Sequence, residues 1–582
     1  MTNSTTALRH GIPPVEVMHH PAGLFILFFT EMWERFSYYG MRALLVLFLV
    51  SDLAANGWGW PREEALSLYG TYTGLVYLTP ILGGYLADRL LGFRLAVIIG
   101  ALLMTLGHAS MAMETEFFFY TGLGLLIAGN GLFKPNISSI VGGLYSKGSE
   151  HKDGAYTIFY MGINAGAFLG ILLCGYVGET VGWHYGFGLA GIFMFLGMLQ
   201  FLFAQKMFGD VGTKPSGQSR PETPEDPAVE EENPQVVRDR LIVIGVLAFF
   251  TIFFWMAFEQ AGGSMTIFAK DYTQRVLTGE AASWFVWVNT ALTLGPIVII
   301  TYVLFLLFRA TFRYIPLSNL ILAGAFALIW LIALWMVYNQ LTSTAYEVGY
   351  QKDGAEVVTK VRVSNPDLQA GQTLHLLKLS DDKFRVVADA DVPKFDHLIE
   401  ARVKARMAGE VEVAASWFGI LNSFFIIAFA PLFSRIWESR FNPSAPVKFA
   451  LGLFLLGAGF AVLAYGASTI PKGAATASVS LWFLVVAYWF HTMGELSLSP
   501  VGLSYVSKLS PSRLVGLMFG IWFLSSAVAN KLAGMTGSLI DSISAQYGLS
   551  AFFLIFTVLP VAAGLIMLAL TPFLKKRMHG IH

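Results

Sequence analysis

The chain has 582 residues, of which 55% are hydrophobic and 13% charged, about half the charged share of an ordinary soluble domain. Lys plus Arg and Asp plus Glu balance at 38 each, so no net field favours nucleic acid or acidic partners. The single cysteine, Cys174, excludes an intramolecular disulfide and a thiolate metal cluster, and so little polar surface cannot cover a soluble body of this length.

The stretch Met1 to Pro21 is polar and lacks the basic start, short apolar core and cleavage site of a secretory signal. Apolar runs then recur at 22–50, 66–87, 93–113, 117–142, 155–180 and 186–207, each near the roughly 20 residues that a bilayer crossing requires. Residues 209–240, rich in Pro, Glu and Ser, predict a disordered linker. Runs at 241–263, 283–308 and 314–338 follow. Residues 339–410 differ, because stretches such as EVVTKVRV and KFRVVADADV, broken by Asn365-Pro366 and Gly371, predict short strands and turns in a β-rich extramembrane insert. Five more runs, at 413–437, 447–468, 480–506, 514–536 and 549–574, bring the expected spans to about fourteen, ahead of a tail at 575–582.

The loops at 88–94, 145–153, 308–313, 434–448, 507–513 and 575–579 carry most of the loop Lys and Arg and fall on alternate connections. The positive-inside rule places them in the cytoplasm, with both termini and the linker, and places the insert outside.

Ionisable residues within a span are expensive and point to function. The first run carries Glu31, Glu34, Arg35 and Arg42 on helical spacing, so its charged stripe is expected to face a bundle interior or an aqueous cavity. Lys134, Glu259 and Glu495 stand in later runs. The bland alternative for each is a charge pair that only holds helices together. Tyr38, Tyr39, Tyr77, Asn164, Trp255, Asn422 and Trp522 accompany the charges. A Tyr or Trp in a membrane helix more commonly anchors at the interface, so these matter only if they face the same cavity. His108 and His491 also lie in spans, where a hydrogen-bonded core histidine is the ordinary reading.

GGYLADRLLGFR at 83–94 resembles the cytoplasmic loop signature of the major facilitator superfamily, with Asp88, Arg89 and Arg94 as charges able to form and break pairs between halves. EMWERFSYYG (31–40), FKPNIS (133–138), FYMGINAGA (159–167), FFWMAFEQAGGS (253–264) and GELSLSPVGLS (494–504) together resemble the motifs of proton-coupled oligopeptide transporters, across both halves of the chain. The resemblance implies an all-α membrane protein of two six-helix bundles plus an extra helix pair. The bundles would be 22–208 and 241–263 with 411–574, the pair 283–338, and the β-rich insert periplasmic. It implies a bacterial inner-membrane symporter that imports di- and tripeptides with protons by alternating access. By the same resemblance Arg42 and Lys134 lie near the peptide carboxylate, and Glu495, Asn164 and Asn422 near its amino terminus. Tyr38, Tyr39, Tyr77, Trp255 and Trp522 would line side-chain pockets, while Glu31, Glu34, Arg35 and Glu259 would serve proton coupling. No cofactor beyond the coupling proton is expected, and the partners would be peptide, proton and lipid bilayer around a monomer.

Two positions depart from the family. WFGILNS (417–423) keeps Asn422 but lacks the Gln and Pro of the usual eighth-helix motif, and Gly70 stands where animal relatives carry a histidine. A same-family carrier of nitrate, an amino acid or a peptide-like drug is the first alternative, and a receptor or scaffold using 339–410 the second. The chain shows no nucleophile–base cluster, metal-ligand spacing or ATP site of a membrane enzyme.

Overall fold

A computed structural model describes residues 11–146, 149, 151–213, 233–352, 354–364, 367–380, 383–394, 397–407, 409–511 and 514–580. Fourteen helices of 19 residues or more are present among them. The first half comprises α1 (Ala22–Val50), α2 (Arg62–Leu86), α3 (Phe93–Met111), α4 (Glu116–Gly143), α5 (His151–Thr180) and α6 (Trp183–Phe203). The second half begins with α7 (Pro234–Phe258) and resumes, after the pair α8 (Gly279–Thr311) and α9 (Pro316–Leu341), with α10 (Ile420–Glu438) and α11 (Ala445–Ala467). It ends with α12 (Trp482–Leu509), α13 (Val515–Gly537) and α14 (Leu549–Arg577).

Helix α1 is buried along nearly its whole length, Glu31, Glu34 and Arg35 included, as befits a helix at the centre of a bundle. Small residues of α5 let it approach. A Cβ on Gly166 would lie 2.2 Å from the Met32 carbonyl oxygen, and one on Gly170 2.2 Å from that of Phe36. Gly70 has a comparable role between the halves. A Cβ there would meet the Gly534 Cα of α13 at 2.5 Å, so the position has no room for a side chain in this arrangement.

The pair α8–α9 packs on the first half, although the chain enters it from the second. Phe326 meets Phe29 and Trp33 edge-on at 5.7 and 5.6 Å, and Ser318 Oγ donates to the Gln200 carbonyl at 3.0 Å.

Two sequence expectations need correction. Residues 234–240, read as linker, form the first turns of α7, because the Asn233 side chain accepts from Gln235 N at 2.9 Å and Pro234 occupies the first helical turn. The rest of the expected disorder, 214–232, lies outside the described residues. The seventh span also does not end at Gly263. It breaks at Glu259–Gly262 and continues through Ser264–Ile267 and Phe268–Tyr272, so the glycines interrupt a spanning helix rather than leave it.

The insert contains five strands, β1 (Thr344–Lys352), β2 (Ala355–Val363), β3 (Thr373–Ser380), β4 (Lys383–Val387) and β5 (Ile399–Arg406), in the antiparallel order β2-β1-β5-β3-β4. Alternating residues, among them Tyr346, Val348, Leu376 and Val403, bury one face as a small core. Arg362 pairs with Glu410 at 3.0 Å and Glu412 at 2.9 Å, and Glu412 pairs with Arg275 at 2.9 Å, which fastens the sheet to the second half. Toward the first half, Arg385 donates to the Val181 carbonyl at 3.1 Å, and β3 lies against the Leu53–Ala55 turn. The insert therefore bridges both halves on the face where it emerges.

Candidate functional site

Along α1, Glu31, Arg35, Tyr39 and Arg42 fall on one stripe because they are spaced by four, four and three residues. They form the first wall of a cavity of about 310 Å³ between the halves, a size suited to a small ligand. Glu34 and Tyr38 are turned onto the neighbouring stripe and do not line it. Glu34 instead accepts from Asn130 of α4 at 2.8 Å and pairs with Arg35, which also holds Glu31 at 3.1 Å. Tyr38 is 2% exposed, lies under the Arg35 guanidinium at 5.4 Å, and its hydroxyl has no hydrogen-bond partner among the described residues.

The other first-half contributors are Tyr77 from α2, Lys134 from α4 and Asn164 from α5. The Lys134 ammonium sits 4.4 Å from the centre of the Tyr77 ring, a cation–π contact. Among the described residues no carboxylate lies within ion-pair distance of it. Asn164 donates to the Tyr160 carbonyl at 3.1 Å, which leaves its side-chain oxygen for another donor.

From the second half come Trp255 and Glu259 at the end of α7, Asn422 of α10, Glu495 of α12 and Trp522 of α13. Glu495 accepts from Asn422 at 2.8 Å, and Asn422 also donates to Thr492 at 3.2 Å. No cation pairs with Glu495 among the described residues. A positively charged first-half wall thus faces a carboxylate on the second.

Arg42 and Glu259 close one end of the cavity by an ion pair between the halves. Arg42 Nε also donates to the Tyr69 hydroxyl at 2.7 Å, and its guanidinium lies over the Tyr39 and Tyr69 rings. Further toward the insert face, Arg62 of α2 binds Asp271 and Asp541, each at 2.8 Å, and the Tyr272 hydroxyl at 3.0 Å. Glu179 of α5 accepts from the backbone amides of Ala415 at 2.9 Å and Ser416 at 2.8 Å. Asp88 and Arg89 lie exposed at the opposite end of the molecule, and Arg94 binds the carbonyls of Gly209 and of Val211, the latter at 2.5 Å, so it holds the start of the linker.

Sequence reasoning missed Tyr69, Tyr488, Thr492 and Asn130, whose hydrogen bonds with Arg42, Ala261, Asn422 and Glu34 join residues distant in the chain, and Tyr160, which lines the cavity. His491, read as a core residue, lines the cavity and packs 4.4 Å from the Phe460 ring. His108 is fully buried elsewhere.

The family model described as PTR2, POT family, matches residues 94–220 and 397–554. The chain is 32% identical over 525 residues to the peptide transporter YePEPT of Yersinia enterocolitica, covering 89% of this chain and 88% of that protein. It is 30% identical over 574 residues to the di-/tripeptide transporter of Lactococcus lactis subsp. cremoris, with 95% and 96% covered. The fold superposes on the crystal structure of a peptide transporter POT in complex with sulfate, with a TM-score of 0.69, 26% identity and full coverage of both chains.

Proposed function

The chain belongs to the POT family, and from that premise we propose that it imports di- and tripeptides together with protons. One observation carries the substrate reading. Lys134 and Glu495, each without an ion-pair partner among the described residues, face one cavity from opposite halves. A half-buried charge without a counterion is costly, and a zwitterion a few ångströms long satisfies both at once. Its carboxylate meets Lys134 and the Arg35–Arg42 wall, and its ammonium meets Glu495 and Asn422. The aromatic walls from Tyr39, Tyr77, Trp255 and Trp522 take up side chains with little directional demand.

Coupling rests on the pair Arg42–Glu259. With Glu259 ionised, the pair joins the halves at the insert end. Protonation removes the attraction and lets that end part, so a proton acts as a ligand of the open form. A proton gradient then draws peptide inward by alternating exposure of the central site.

Purified protein in vesicles, given a labelled dipeptide and an inward proton gradient, tests both parts. Accumulation above the outside concentration that collapses with an uncoupler is expected. Accumulation of nitrate or a single amino acid in preference to the dipeptide would replace peptide as the substrate.

A further inference from the structure

A second hollow, of about 470 Å³, opens where α10 turns into α11, on the face opposite the insert. Three lysines from three elements line it: Lys448 in the first turn of α11, Lys508 near the end of α12 and Lys575 near the end of α14. Lys448 is 8% exposed, donates to Asn442 at 2.6 Å and lies 4.6 Å from the Trp437 ring centre. Among the described residues no carboxylate lies within ion-pair distance of it, and Lys508 lines the same hollow. Ser444, at the start of α11, lines the same hollow, and its hydroxyl is buried without a hydrogen-bond partner among the described residues.

Three ammonium groups and an unengaged hydroxyl at a helix N-terminus present donors and positive charge around one space. Like charges gathered this way repel unless an anion answers them. The space exceeds a simple carboxylate, and Pro500, Val501 and Tyr505 give it an apolar side. We propose that it binds a phosphate group, from an anionic lipid headgroup or from free phosphate.

The site would bear on transport through α12. Pro500, Val501, Ser504 and Tyr505 of this helix line the hollow, while Glu495, Ser499 and Leu503 line the central cavity. An anion clamped between α11, α12 and α14 holds the wall of the central cavity where it now stands.

Native mass spectrometry of the full-length protein, with phosphatidylglycerol or phosphatidylcholine added, tests the lipid arm. Titration with inorganic phosphate, followed by tryptophan fluorescence with Trp437→Phe as the reference, tests the free-anion arm. The variant is Lys508→Gln with Lys575→Gln, both exposed and outside the peptide site, with Lys448→Gln added where it folds. Preferential retention of phosphatidylglycerol by the wild type, weakened about tenfold in the double variant while dipeptide binding is kept, is the expected result. Saturable phosphate binding that the variant loses, with lipid retention equal in both proteins, assigns the site to free phosphate. Equal binding of both probes by wild type and variant overturns the proposal.

Discussion

Glu495 and Lys134 differ from the other charges in the cavity, because Arg35 pairs with Glu31 and, behind the wall, with Glu34, while Arg42 pairs with Glu259. If Glu495 meets the peptide ammonium, acetylating the peptide's amino terminus should weaken binding to wild type by roughly ten- to hundredfold, the worth of a charge-assisted hydrogen bond. The same acetylation should change binding to Glu495→Gln far less, so competition binding across the four combinations isolates the contact. Equal loss in both proteins would assign the ammonium elsewhere. At this scale the sequence revealed which residues carry charge where lipid forbids it, and helical spacing grouped Glu31, Glu34, Arg35 and Arg42, of which all but Glu34 line the cavity. It could not reveal that Glu34 and Tyr38 turn away, because one step along a helix rotates a side chain by about 100° and only the packing of α4 fixes which stripe faces the cavity.

At the scale of elements, the apolar runs matched the helices closely. Eleven of the fourteen long helices are apolar enough to read as spans from length and composition alone. The three that are not, α1, α2 and α12, contain Glu31, Arg35, Tyr77 and Glu495, so the weakest hydropathy signals fall on helices that line the site. The insert was legible as strands but not in its docking, since its contacts with Val181, the Leu53–Ala55 turn and Arg275 are long-range. A polar insert on one face need not touch a midplane site, which leads to the expectation that it is dispensable. Its bridge across both halves suggests instead that it biases the closed insert end. Arg385→Ala removes one hydrogen bond of that bridge, worth about 1 kcal/mol or less. The consequence should be a two- to fivefold faster reaction of an impermeant thiol reagent, added from the insert side, with Thr266→Cys in a Cys174→Ser background. An unchanged rate would return the insert to a passive role.

For the whole molecule, the question is how one end stays shut while the other exposes the site. Two inter-half ion-pair groups lie in series at the insert end, Arg42–Glu259 inside and Arg62 with Asp271 and Asp541 at the rim. They should respond to different variables. The rim pair includes Asp541, whose side chain is 52% exposed, so salt screens it. The inner pair, 11% and 3% exposed, is shielded from salt, and protonating its carboxylate is the way to dissolve it without separating charges. Glu259→Gln should therefore mimic permanent protonation. It should abolish proton-driven accumulation in vesicles while retaining peptide binding and exchange of peptide for peptide, and distances between spin labels on the two halves at the insert end should broaden toward longer values at neutral pH. Arg62→Ala should lengthen those distances modestly, mimic the effect of high salt, and leave accumulation pH-dependent. If Glu259→Gln still concentrates a dipeptide as well as wild type, the inner pair is only a structural tie, and the Glu31–Glu34–Arg35 group, reached from the same cavity, becomes the place where the proton acts.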